Sequence, residues 1–194
     1  MSRMQETSYS PQWLVLLEPM TSCPLDAGTG DVHRRAQLES FDLNSLFAPQ
    51  KIRDREMAEC CLAGAWLLFN YLDESHSISQ QIHTREGSYW HGIMHRREGD
   101  FGNSKYWFRQ AGVHVIFGDL HEQVTDYLSR RENNDARLDA LSTNGVWSPD
   151  VFVDLCATAL GNSSQDVGLI EPLQEIAMIE WRLLFDHCYQ HAIH

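Results

Sequence analysis

Between Met57 and Leu72, apolar residues occupy nearly every side of a 3.6-residue period, interrupted mainly by Glu59, Gly64 and Asn70. A helix that is apolar all round belongs in the middle of a fold, so the pattern predicts a buried helix from about Asp54 to Asp73. Its narrow polar strip (Arg55, Glu59, Asn70, Asp73) delivers Asp73 and His76 to the end of the core. Further helices are predicted over Ser88–Arg97, from an N-cap at Asp100 to a stop before Gly112, and over Gly118–Arg131. Ser148 followed by Pro149 supplies an N-cap with proline at the first helical position, and Gly161 a stop. A last helix runs from about Pro172 to the C-terminus. Residues 132–147 are polar, with a turn at Asn144-Gly145.

Ahead of these helices the period is broken by Pro11, Pro19, Pro24, Gly28, Gly30 and Pro49. Residues 1–50 therefore read as an irregular N-terminal arm packed on the body, with Trp13–Leu17 as one extended segment. The expected architecture is an all-α, single-domain, bundle-like fold, the arm over 1–50 and the helical domain over 51–194.

Composition supports this picture and narrows the partners. At 194 residues with 43% hydrophobic content, the chain can bury a continuous core without metal or disulfide staples. Its 27 acids against 15 bases give a net charge of −12, which repels phosphate backbones, so nucleic acid is not an expected partner. The five cysteines (Cys23, Cys60, Cys61, Cys156, Cys188) include no CxxC and cannot all pair, so they read as reduced, apolar thiols of a cytoplasmic protein. Trp13–Leu17 is too short for a signal peptide. The longest near-continuous apolar run, Cys60–Phe69, is well short of the roughly 20 residues of a membrane helix.

Chemistry concentrates around residues 85–109. Five bases (Arg85, Arg96, Arg97, Lys105, Arg109) face three acids there, interleaved with six aromatics, and His76, His83, His91, His95 and His114 lie in or beside the stretch. Inside an acidic protein, this mixture points to a pocket for a small polar or anionic molecule, with Arg96, Lys105, Arg109 and Trp107 as substrate contacts. His91 and His95 stand four apart and share one helical face with Ser88 and Glu98, at the edge of the apolar face. Two imidazoles at that spacing can grip a divalent transition metal, and His76 can complete the set. Gly92 stands where HExxH would need its glutamate, so the zinc-protease pattern does not apply. Asp73 lies three residues before His76, where a carboxylate can fix an imidazole's tautomer. In the last helix Glu180 falls in the middle of the apolar face, and a buried carboxylate demands a partner: an arginine from 96–109, a histidine or a metal. His187 and His191 follow on that same face.

The segments LDESHSISQQI (72–82) and YWHGIMHRREGDFGNSKYWFR (89–109), with EWRLLFDHCYQ (180–190), resemble a group of uncharacterised, mostly bacterial proteins. That resemblance implies no activity and no residue roles. From the residues themselves three functions stay open. The first is an enzyme using His91, His95, Glu180 and Asp73 for acid–base work, or His76, His91 and His95 for a metal. The second is a non-catalytic module binding an anionic small molecule, and the third a structural protein whose Arg96 and Arg97 pair with Glu98, Asp100 or Glu180.

Overall fold

A computed structural model describes residues 9–18, 22–132, 135–143, 145–161 and 167–194, the side chain of Val167 excepted. Every regular element among them is helical: α1 (Pro11–Leu17), α2 (Val32–Glu39), α3 (Leu43–Phe47), α4 (Arg55–Leu68), α5 (Leu72–Ser79), α6 (Arg85–Glu98), α7 (Phe101–Ala111), α8 (Phe117–Ser129), a 3-10 turn (Ala136–Leu141), α9 (Pro149–Gly161) and α10 (Val167–Ile193). The all-α expectation holds. No helix among the described residues is long and apolar enough to cross a membrane.

Start and stop chemistry is local. Asp54, Thr84, Asp100 and Ser10 each accept a backbone N–H of the first turn they precede. Gly99, at φ 88°, ends α6 in the left-handed region that a side chain would oppose, and lets α7 fold straight back on α6. These two helices form the most extensive pairing in the fold.

The core is one cluster running through α4, α6 and α10. Gly64 is a point of close approach: a Cβ there would sit 2.8 Å from the Trp90 ring, while the Trp181 Nε1 donates to the Gly64 carbonyl at 2.9 Å. α6 is buried from Gly87 to Arg97 without interruption. The charged residues of that stretch, Arg96 and Arg97, therefore find their partners inside the protein. Arg96 Nη2 donates to Glu180 Oε2 at 2.6 Å, and the Tyr89 hydroxyl donates to Glu180 Oε1 at 2.9 Å. Burial opposes the charge on Arg96, but the Glu180 carboxylate more than offsets this and leaves its pKa above the ordinary value. The guanidinium also lies over Phe152, 4.4 Å from the ring centre.

Four expectations need correction. Trp13–Leu17 is helical rather than extended, because Ser10 caps it and Pro11 occupies its first position. Among the described residues of the first fifty, three short helices, capped by Ser10, Asp31 and Asp42, replace the irregular chain expected there, and Trp13 meets Phe47 and Phe185 edge-on. The long helix predicted over 54–73 breaks at Asn70, which adopts φ 66°. Asn70 donates from Nδ2 to Thr29 O at 2.9 Å and accepts from Arg97 Nη2, contacts that stabilise the break. α10 begins before the expected Pro172, which sits inside it with one backbone hydrogen bond lost. Asn144 of the expected turn lies outside the described residues.

Because Glu180 and Arg96 are almost wholly shielded from water, with side-chain exposures of 0% and 2%, Glu180→Gln is expected to destabilise the fold by about 3–5 kcal/mol through the stranded guanidinium. Urea denaturation measures it, and a loss below about 1 kcal/mol would show that the pair is not sealed. Arg130→Ala, at the exposed Arg130–Asp126 pair, should leave the midpoint unchanged.

Candidate functional site

The break at Asn70 turns the chain into α5, and this places His76, in the last turn of α5, against α6. His91 and His95, one turn apart on α6, stack at 4.8 Å between ring centres with planes 21° apart. The His76 ring stands edge-on to both, 4.7 Å from His91 and 5.6 Å from His95. One nitrogen from each of the three rings lies within 4.8 Å of the others. The three imidazoles expected to hold a metal are thus brought together. A tetrahedral ion with bonds of about 2.0–2.1 Å needs donors roughly 3.3 Å apart, so the rings would close in around an ion.

Each ring has a distinct environment. His95 Nδ1 lies 2.9 Å from Glu98 Oε2, one turn on along α6. With its hydrogen directed at that carboxylate, the His95 ring keeps its lone pair on Nε2, as a carboxylate-oriented metal ligand does. Asn103 Nδ2 approaches this Nε2 at 3.0 Å from α7. His91 is buried, its ring centre 3.9 Å from that of Trp107 and its plane 13° from parallel, and its Nδ1 has no hydrogen-bond partner. Burial, followed by the neighbouring His95 and His76, depresses its pKa to about 3. A neutral imidazole with an unsatisfied nitrogen is suited to a metal ion and poorly suited to storing a proton.

The remaining expected residues fall elsewhere. Glu180 does not join the imidazoles, since its two oxygens are taken by Tyr89 and Arg96. Arg96 is correspondingly a core residue and is not available to a substrate. Asp73 is exposed in the first turn of α5, and the cluster that includes His76 does not include it. Lys105 reaches outward to Asp154 at 2.6 Å, and Arg109 is exposed near the end of α7. Trp107 does reach the site, as the flat wall against His91. Arg97 is a structural clamp: buried, it donates to the carbonyls of Leu67 and Asp26, and burial lowers its pKa to about 10.

Nothing matches. Neither family models, nor curated proteins, nor solved structures yield a protein similar to this chain. What the site can do follows from its own geometry.

Asn103 is a site residue that the sequence did not disclose, and only the fold-back of α7 on α6 brings it near. The cysteines do not compete for the chemistry. All five are buried and unpaired, and burial pushes Cys23 and Cys156 up to about 12, away from thiolate character at neutral pH.

The depressed His91 pKa has a definite sign. The unfolded chain takes up a proton near the ordinary 6.5 and the folded chain only near 3, so stability falls as the pH drops through this window. In a titration followed by NMR, the His91 ring signals should show no step at 6.5, and a step there would mean that the ring is solvated.

Proposed function

We propose that this protein binds a divalent transition-metal ion through His76, His91 and His95 and is an enzyme acting on a small polar or anionic molecule. The observation that carries this is the convergence of three imidazole nitrogens from α5 and α6, two of the rings buried. Three imidazoles leave one position of a tetrahedral ion open, where a divalent metal supplies Lewis acidity to water or to a substrate oxygen. In this reading Glu98 orients His95, and Trp107 holds His91 flat and keeps water from one side of it. Asn103 offers a hydrogen bond to a molecule arriving beside His95. The stretch that resembles the bacterial group, Leu72 to Arg109, contains all three ligands.

A second reading is favoured by one contact: Asn103 already engages the His95 Nε2 lone pair. In that case the Glu98–His95 pair works as a metal-free acid–base couple on the same class of molecule.

The experiment is metal analysis of untagged protein, never exposed to a nickel column, followed by calorimetric titration with Zn2+. Wild-type protein is expected to bind at the imidazole centre, His91→Ala to lose one equivalent, and Glu98→Gln to weaken that site about 10–100-fold. If His91→Ala and His76→Ala bind as much metal as the wild type, the metal centre does not exist and the acid–base reading remains.

A further inference from the structure

A second group of donors forms where three distant parts of the chain meet. Glu86 lies in the first turn of α6, His114 in the connection between α7 and α8, and His187 near the end of α10, 101 residues from Glu86. Glu86 Oε1 is 3.1 Å from His187 Nε2 and 3.4 Å from His114 Nε2, and one donor atom from each of the three lies within 4.8 Å of the others. The two short separations match the roughly 3.3 Å edges of a tetrahedron built on bonds of about 2.0–2.1 Å.

The His114 ring supplies an independent sign. Its side chain is 1% exposed, and its Nε2, although 3.4 Å from the carboxylate, lacks the geometry of a hydrogen bond and has no other partner. A buried imidazole nitrogen without a partner is destabilising, and an ion between it and Glu86 removes the defect. The carboxylate is suited to that part, because a single oxygen, Oε1, lies between the two imidazole nitrogens. Glu86 and His187 are each 14% exposed, so the group opens to solvent on their side, giving an ion a way in and a position for an outside ligand.

The geometry points to a second divalent-metal site, held by Glu86, His114 and His187 and separate from the three-imidazole centre. Two imidazoles and one carboxylate with an open position suit a first-row transition ion of the zinc or iron(II) type, rather than calcium or magnesium, which prefer all-oxygen surroundings. Coordination through His114 Nε2 places that ring's hydrogen on Nδ1 and ends its acceptance of the Ile116 N–H, a long contact of 3.4 Å. The site ties the start of α6 to the end of α10, so the ion acts as a cross-link as well as a ligand holder.

The test is equilibrium binding of Co2+ to untagged full-length protein, read by calorimetric stoichiometry and by the visible absorption of the bound ion, with Zn2+ as competitor. Glu86→Gln keeps the size of the side chain and removes the charge. His187→Ala, at the more open edge, is run in parallel so that a folding defect in one variant does not decide the result, and circular dichroism checks both. Each folded variant is expected to lose one equivalent relative to wild type while retaining the equivalent that His91→Ala removes. If both folded variants bind as much Co2+ as wild type, the proposal is overturned and the group is an ion-paired helix clamp only. Because His91→Ala reports on the other centre, either site can fail without the other.

Discussion

A guanidinium and a carboxylate sealed from water cannot slide past one another without exposing a charge to an apolar core. The Arg96–Glu180 pair therefore sets the rotation of α6 against α10, and the Tyr89 hydroxyl on the same carboxylate sets it a second time, two turns away. At about 100° per residue, fixing Tyr89 and Arg96 toward α10 sends His91 and His95 to the other side of the helix, where α5 and α7 lie. The placement of the imidazoles is thus a consequence of an ion pair that takes no part in their chemistry.

α6 has no free side. One face holds the ion pair, another carries Trp90 against Gly64, a third presents the stacked histidines, and Arg97 at its end grips the loop near Asp26 and the break at Asn70. This arrangement explains how a protein of net charge −12 can collect bases in one stretch. Two of those bases, Arg96 and Arg97, are internal struts, and the other three, Arg85 on α6 and Lys105 and Arg109 on α7, lie toward the surface. A basic segment read from composition as a binding surface is here divided between scaffold and exterior.

Features encoded within one helical turn were legible in the chain. The His91–His95 pair, the cap at Asp100 and the awkward position of Glu180 all follow from spacing alone, and of the partners open to Glu180 (an arginine from 96–109, a histidine or a metal) the fold supplies Arg96. Features that depend on distant partners were not legible. The break after α4 is stabilised by Thr29 and Arg97, distant partners that the single polar residue Asn70 in an apolar run did not disclose. The helices of the first fifty residues are five to eight residues long, too short to show a period. Glu86, His114 and His187 belong to elements that only the finished fold brings together.

The flat contact between Trp107 and His91, 3.9 Å between ring centres, has an optical side. An indole excited in van der Waals contact with an imidazole is sensitive to the charge state and electron demand of that ring, because quenching by electron transfer falls steeply with distance. Trp107 sits against one of the three imidazoles of the proposed metal centre. Of the six tryptophans, Trp107 is thus the indole whose emission is coupled to the state of the His91 ring.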